Sequence, residues 1–151
     1  MRIMLRLAGV LIIGVAAFSA AQAQTGSAEQ ELFASVNRAR RAQGVSALKW
    51  NEALAVAAHR HAALMAQHGA AEHGFPGEPA LASRVTQAGA RFVWLAENVV
   101  QGSSVEAIQA EFLRSANHRA NMMDADMDSV GVGVVERDGQ LFAVEDFSKA
   151  K

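Results

Sequence analysis

The chain has 151 residues, no cysteine, 51% apolar side chains and a formal charge of −1. One ordinary domain fits this length, and the missing thiols exclude a disulfide scaffold, a thiolate metal site and a cysteine nucleophile. A pI near 6.5 without a basic block argues against a nucleic-acid or anionic-membrane partner, which would show as a Lys/Arg stripe.

Residues 1–23 differ from the rest. Arg2 and Arg6 precede an uncharged run from Leu7 to Ala21, and Ala21-Gln22-Ala23 follows. A positive n-region, an apolar stretch and a small-x-small site make a secretory signal peptide. The run reaches ~22 Å as a helix, short of the ~30 Å hydrocarbon core. Cleavage is therefore expected, with export to the periplasm or the outside medium and no stable transmembrane segment afterwards. The mature chain would carry twelve Lys/Arg against fifteen Asp/Glu and about 47% apolar residues, ordinary for a soluble domain. Its divisions are read as 24–30 for a leader and the start of the first helix, 31–148 for the domain, and 149–151 for a tail. Gln24 to Gly26 are expected to be a short disordered leader, and the protein to be a monomer.

Ser27-Ala28-Glu29-Gln30 has capping-box spacing, and Leu32, Val36 and Ala39 follow at helical intervals. Arg38, Arg40 and Arg41 read as its solvated last turn, with Gly44 closing it. Asn51 is placed to cap a second helix running to about Gly69, with Leu54, Ala58, His61, Met65 and His68 on one stripe. A shorter helix is expected from Pro79 at N1 to about Ala88. Phe92 to Val100 is apolar on both faces apart from Glu97 and Asn98, the pattern of a central strand. Ser103-Ser104-Val105-Glu106 offers another capping box for a helix reaching at least Arg114, with Val105, Ile108 and Phe112 inward. Ser129–Glu136 and Leu141–Phe147 flank Asp138-Gly139, a strong hairpin signal. Helices first and a hairpin last indicate an α+β domain with an antiparallel sheet.

Glu97 is the most informative residue, because a carboxylate among apolar side chains needs compensation. The compensating group is either an arginine in a structural ion pair or a histidine or metal in a cleft. His59 and His61 point to different sides of their helix and cannot chelate together. His59 reads as exposed, His61 as a hydrogen-bonded core histidine, and His68 as a helix-end cation. His73 lies in a Gly/Pro-rich loop and His118 just past a helix, neither in a local metal-ligand motif. Asp124, Asp126 and Asp128 fail as a calcium loop, since Ser129 and Val135 occupy the positions needing Gly and Glu. They read as a solvated acidic loop.

A resemblance carries more. Asn37, Arg40, Gly44, Leu48 and Trp50, then Leu54, Ala55, Ala58, His61, Met65 and Gly69, resemble the opening of the CAP superfamily of cysteine-rich secretory, antigen 5 and pathogenesis-related proteins, also called the SCP domain. His73 matches its first loop histidine, Glu97-Asn98-Val99 its Gly-Glu-Asn-Ile element, and Ser115 with His118-Arg119-Ala120-Asn121 its bacterial histidine block. Val130-Gly131-Val132-Gly133 and Asp146-Phe147 resemble the closing strands. The resemblance runs from about Leu32 to Phe147 and implies a three-layer α-β-α sandwich with a central cleft. It also implies that His73, His118 and Glu97 line that cleft, as candidate catalytic residues or as ligands of a divalent metal such as zinc. Ala96 replaces the usual Gly, Glu145 stands where Gln is commoner, and no acid matches the family's second carboxylate.

Three functions compete. The favoured one is a cleft that binds a small molecule, lipid or envelope partner. A metal- or histidine-assisted hydrolase of peptidase or esterase type is the alternative, since two His and one Glu are a legitimate zinc shell. A structural or stress-related envelope protein is the third. Ser115 has no elbow to project it as a nucleophile, and a zinc hydrolase would need a general base beyond its ligands.

Overall fold

The computed structural model describes the backbone of residues 11–151, with side chains from Gly26 onward. The n-region of the expected signal peptide lies outside the described residues. Helix α1 (Leu11–Ala42) runs without a break through Gln24–Gly26, so the expected leader is helical and Ser27 caps nothing. The alanine-rich stretch ahead of Ser27 contains strong helix formers and no proline, so the helix arrives there already propagating. Among the described residues no helix is long and apolar enough to cross a membrane.

The remaining elements are β1 (Lys49–Trp50), α2 (Glu52–His68), α3 (Leu81–Gln87), β2 (Phe92–Gly102), α4 (Val105–Arg114), α5 (Ala116–Met123), β3 (Ser129–Arg137) and β4 (Gln140–Ala150). Their ends mostly follow local chemistry. Asn51 Oδ1 accepts from Leu54 N, and Gly69 closes α2 in the left-handed region, as its sequence signals require. Ser104, not Ser103, caps α4 by accepting from Ala107 N, which puts Glu106 one position early for a capping box. Helix α3 begins at Leu81 rather than Pro79, with Ala80 as a cap that has no side-chain acceptor.

The sheet order is β1-β3-β4-β2, with β1 parallel to β3 and the other pairs antiparallel. The β3–β4 hairpin turns through Asp138 and Gly139, both at positive φ, the two-residue turn that matches strand twist. Strand β2 is an edge strand, not the central one expected. Its apolar character reports two covered faces, not two paired neighbours. Val99 packs toward α2 and Val100 toward the opposite helices, while Val93 and Trp94 at the open end are 63% and 61% exposed.

Three layers result. Helices α1, α4 and α5 cover one face, where Leu32, Val36, Ile108, Phe112 and Met122 meet Val130, Val132 and Val134. Helices α2 and α3 cover the other, where Ala58, Ala62 and Met65 meet Val99, Phe142 and Val144. Each fully buried Leu, Ile or Phe contributes roughly 1.5–3 kcal/mol, so the core is sustained by packing alone in a chain without disulfides.

Arg40 departs from expectation. It is fully buried, not solvated at a helix end. Its Nε donates to Ser46 O at 2.7 Å, its Nη1 to Met122 O and Asp124 O at 2.6 and 2.9 Å, and its Nη2 to Met127 O at 3.3 Å. The last carbonyls of α5 have no helical partners, and a guanidinium fork supplies the donors that they and the following loop need. Arg40→Lys keeps the charge and loses the fork, so it is expected to cost roughly 2 kcal/mol in urea unfolding. A loss within about 0.5 kcal/mol, the range of ordinary surface changes, would show that the fork does not brace α5.

Candidate functional site

Two polar pairs cross the β2–β4 ladder next to one another, Glu97 opposite Asp146 and Asn98 opposite Glu145. Side chains alternate across a sheet, so the first pair faces α2 and α3 and the second faces α4 and α5.

On the α2/α3 face, Glu97 is buried and both its oxygens are engaged. Oε2 accepts from Arg84 Nη2, and Oε1 meets His73 Nδ1 at 2.8 Å. Arg84 is itself buried. It pairs with Glu78 Oε1 at 3.1 Å and donates to the His73 carbonyl at 3.2 Å. His61, on the inner stripe of α2, joins Glu78 Oε1 at 2.7 Å and the Glu72 carbonyl at 2.8 Å. It is therefore the hydrogen-bonded core histidine that its position on the stripe suggested. Burial first, and then the adjacent Glu97 carboxylate, hold the Asp146 carboxyl well above the usual range.

The loop between α2 and α3 presents His73. Phe75 N donates to Glu78 Oε2 and Glu78 N to the Phe75 carbonyl, and His68 stacks on the Phe75 ring at 4.3 Å. A loop fixed at these points leaves the His73 side chain 64% exposed while its Nδ1 stays on Glu97.

On the other face, α5 carries His118. Ser115 caps this short helix, accepting from His118 N, and the imidazole stands edge-on to Phe112 with centroids 5.3 Å apart. His118 Nδ1 is buried without a protein partner. Burial lowers the His118 pKa, the positive charge of a protonated His73 lowers it further, and Glu111 opposes both. Helix α5 was not visible in the sequence, where His118 reads only as lying just past a helix.

His73 and Glu97 are thus joined directly, while His118 on α5 is tied through its backbone carbonyl to Asn98, the residue after Glu97. Among the described residues, no group of three or more His, Cys, Asp or Glu side chains is placed to hold a metal ion. The donor chemistry agrees. The Arg84 guanidinium occupies one Glu97 oxygen, and a cation there repels a second one. The residues as arranged do not fit a His-His-Glu zinc shell. Arg84 and Glu78 were missed in the sequence because nothing local marks them. The one signal was that Glu97 required a partner, with arginine among the candidates.

The model of the CAP, cysteine-rich secretory protein, family matches residues 33–147. The chain belongs to this family. The CAP fold also appears in solved structures. An extracellular SCP-domain protein of Bacillus anthracis str. Ames matches at TM-score 0.77 and 24% identity, over 83% of this chain and 41% of that one. An outer surface protein of Borrelia burgdorferi matches at TM-score 0.77 and 19% identity, over 84% and 96%. A cysteine-rich secretory protein of Staphylococcus aureus subsp. aureus Mu50 matches at 0.67 and 22%, over 83% and 40%. The chain therefore spans about two fifths of the Bacillus and Staphylococcus proteins. No curated protein sequence matches it. This CAP domain has no cysteine, so its three layers are held without staples.

Proposed function

We propose that this CAP-family protein is exported and works as a ligand-binding module, its cleft lying between the His73 loop and α5. The carrying observation is the internal compensation of Glu97. With its oxygens on Arg84 and His73, the carboxylate is engaged by the fold and is not free as a metal ligand or general base. What the cleft offers to a visitor is the exposed His73 imidazole and the half-buried His118 ring. Paired imidazoles suit recognition of a polar group on a small molecule, lipid or protein partner. The signal-peptide pattern of residues 1–23 supports export, as do the extracellular and outer-surface descriptions of similar structures. Periplasm and external medium both accommodate a domain that has no disulfide to form.

The test uses tag-free protein. It is analysed for metal, screened against ester and peptide libraries with and without EDTA, and used to draw ligands from lipid extracts and small-molecule mixtures. Saturable binding without turnover is expected, weakened about tenfold or ~1.4 kcal/mol by His73→Ala. Turnover lost with EDTA, and in both His73→Ala and His118→Ala, would replace this reading with a metal-assisted hydrolase.

A further inference from the structure

Glu145 is a buried acid that the cleft reading leaves unused. Its side chain lies on the sheet face covered by α1, α4 and α5, level with Asn98 on β2 and Val132 on β3. It is fully enclosed. Oε2 accepts from Asn98 Nδ2 at 3.1 Å, and Oε1 has no protein partner. Among the described residues no cation pairs with it.

The Asn98 amide also donates to the His118 carbonyl at 3.1 Å, and its Oδ1 accepts from Asn121 at 2.9 Å. Asn121 in turn donates to the Glu97 carbonyl at 3.4 Å. Both Asn98 hydrogens and its oxygen are therefore engaged, and Glu145 is the acceptor that completes the set. An ionised carboxylate at this place would be a buried charge with one hydrogen bond and no counter-ion. A neutral carboxylic acid instead offers Asn98 a carbonyl oxygen in the shape that a glutamine amide would.

We propose that Glu145 is a neutral acid in the working protein and serves as a positioning residue, holding α5 and His118 against the sheet through Asn98. This holds whatever the cleft binds. Burial pushes the Glu145 carboxyl up to about 8, with Asn98 pulling the other way. Asn98 on β2 and Val132 on β3 lie beside it in the sheet, and the His118 carbonyl and the Asn121 amide of α5 are joined to Asn98. Glu111 of α4 acts on His118, and Arg40 of α1 is held by the carbonyls at the far end of α5.

The folded protein thus keeps a proton that the unfolded chain releases above its ordinary carboxylate range. This contribution makes stability fall as pH rises from about 4.5 to about 8, by up to about tenfold in the unfolding constant per pH unit. Carbon-13 NMR of the Glu145 carboxyl, proton–nitrogen NMR of the His118 ring and urea unfolding at several pH values test this. The expected results are a carboxyl that titrates near pH 8, His118 signals that shift above that pH in wild type only, and a Glu145→Gln variant that folds without this stability slope. A carboxyl titrating in the ordinary acidic range would overturn the proposal. So would identical alkaline His118 shifts in wild type and Glu145→Gln.

Discussion

Gly131→Ala and Gly133→Ala are each expected to leave the protein unfolded. Both glycines face α2 from β3, and the helix backbone lies directly on them. A Cβ on Gly131 would sit 2.0 Å from Ala55 N, and one on Gly133 2.2 Å from His59 N. These are backbone atoms inside a helix, so no rotamer change relieves the overlap, and α2 would have to lift off the sheet. That separation would open the Ala58, Ala62 and Met65 contacts with Val99 and Val144, and it would carry His61 away from Glu78. A cost above about 4 kcal/mol is expected, in the exceptional class for single substitutions and comparable with a whole domain's ~5–15 kcal/mol. Gly102→Ala is the control. Its Cβ would meet the Ile108 side chain at 2.8 Å, and that side chain can yield at about 1–3 kcal/mol. Circular dichroism and urea melts of the three variants decide it. Cooperative unfolding of Gly133→Ala near the wild-type midpoint would contradict the close approach.

The second large effect is expected at Arg84. Replacing it with methionine keeps most of the volume but leaves the buried Glu97 and Glu78 without their shared guanidinium. Removing one partner of a buried ion pair costs about 3–5 kcal/mol, because the remaining charge is uncompensated. Arg84→Met combined with Glu97→Gln should recover part of the loss, giving a coupling of roughly 1–3 kcal/mol in a double-mutant cycle. Additive effects would mean that the two groups do not interact in solution. The same variant bears on function, since Arg84 also donates to the His73 carbonyl. The exposed imidazole should lose its fixed orientation before the fold is lost.

Much of this architecture was readable locally. Asn51 and Gly69 bound α2 because capping depends on residues within one turn, and Asp138-Gly139 turns the hairpin because only its own φ angles matter. The need of Glu97 for compensation was also legible, from one charge in an apolar run. Its partner was not, since Arg84 is thirteen residues away on a separate helix and looks like any surface arginine. Arg40 misled for the same reason. Beside Arg38 and Arg41 it reads as part of a solvated turn, and only the arrival of α5, more than eighty residues later, makes it a buried brace. Strand β2 was assigned the wrong place because an apolar pattern reports covered faces and is silent about neighbours in the ladder.

Sequence alone specified the helices other than α5, the hairpin of the α+β domain, and the residue types available for chemistry, imidazole and carboxylate without thiol. These follow from short-range stereochemistry, periodicity and composition, which a single chain displays directly. The tertiary structure alone decided that Glu97 belongs to Arg84 and His73, and that Glu145 belongs to Asn98 beneath α5. Both assignments rest on the β2–β4 register. One residue of slip along that ladder would send Glu97 to the α5 face and Asn98 to the α2 face. That register is set by burial on both sides of the sheet, a property of the folded whole.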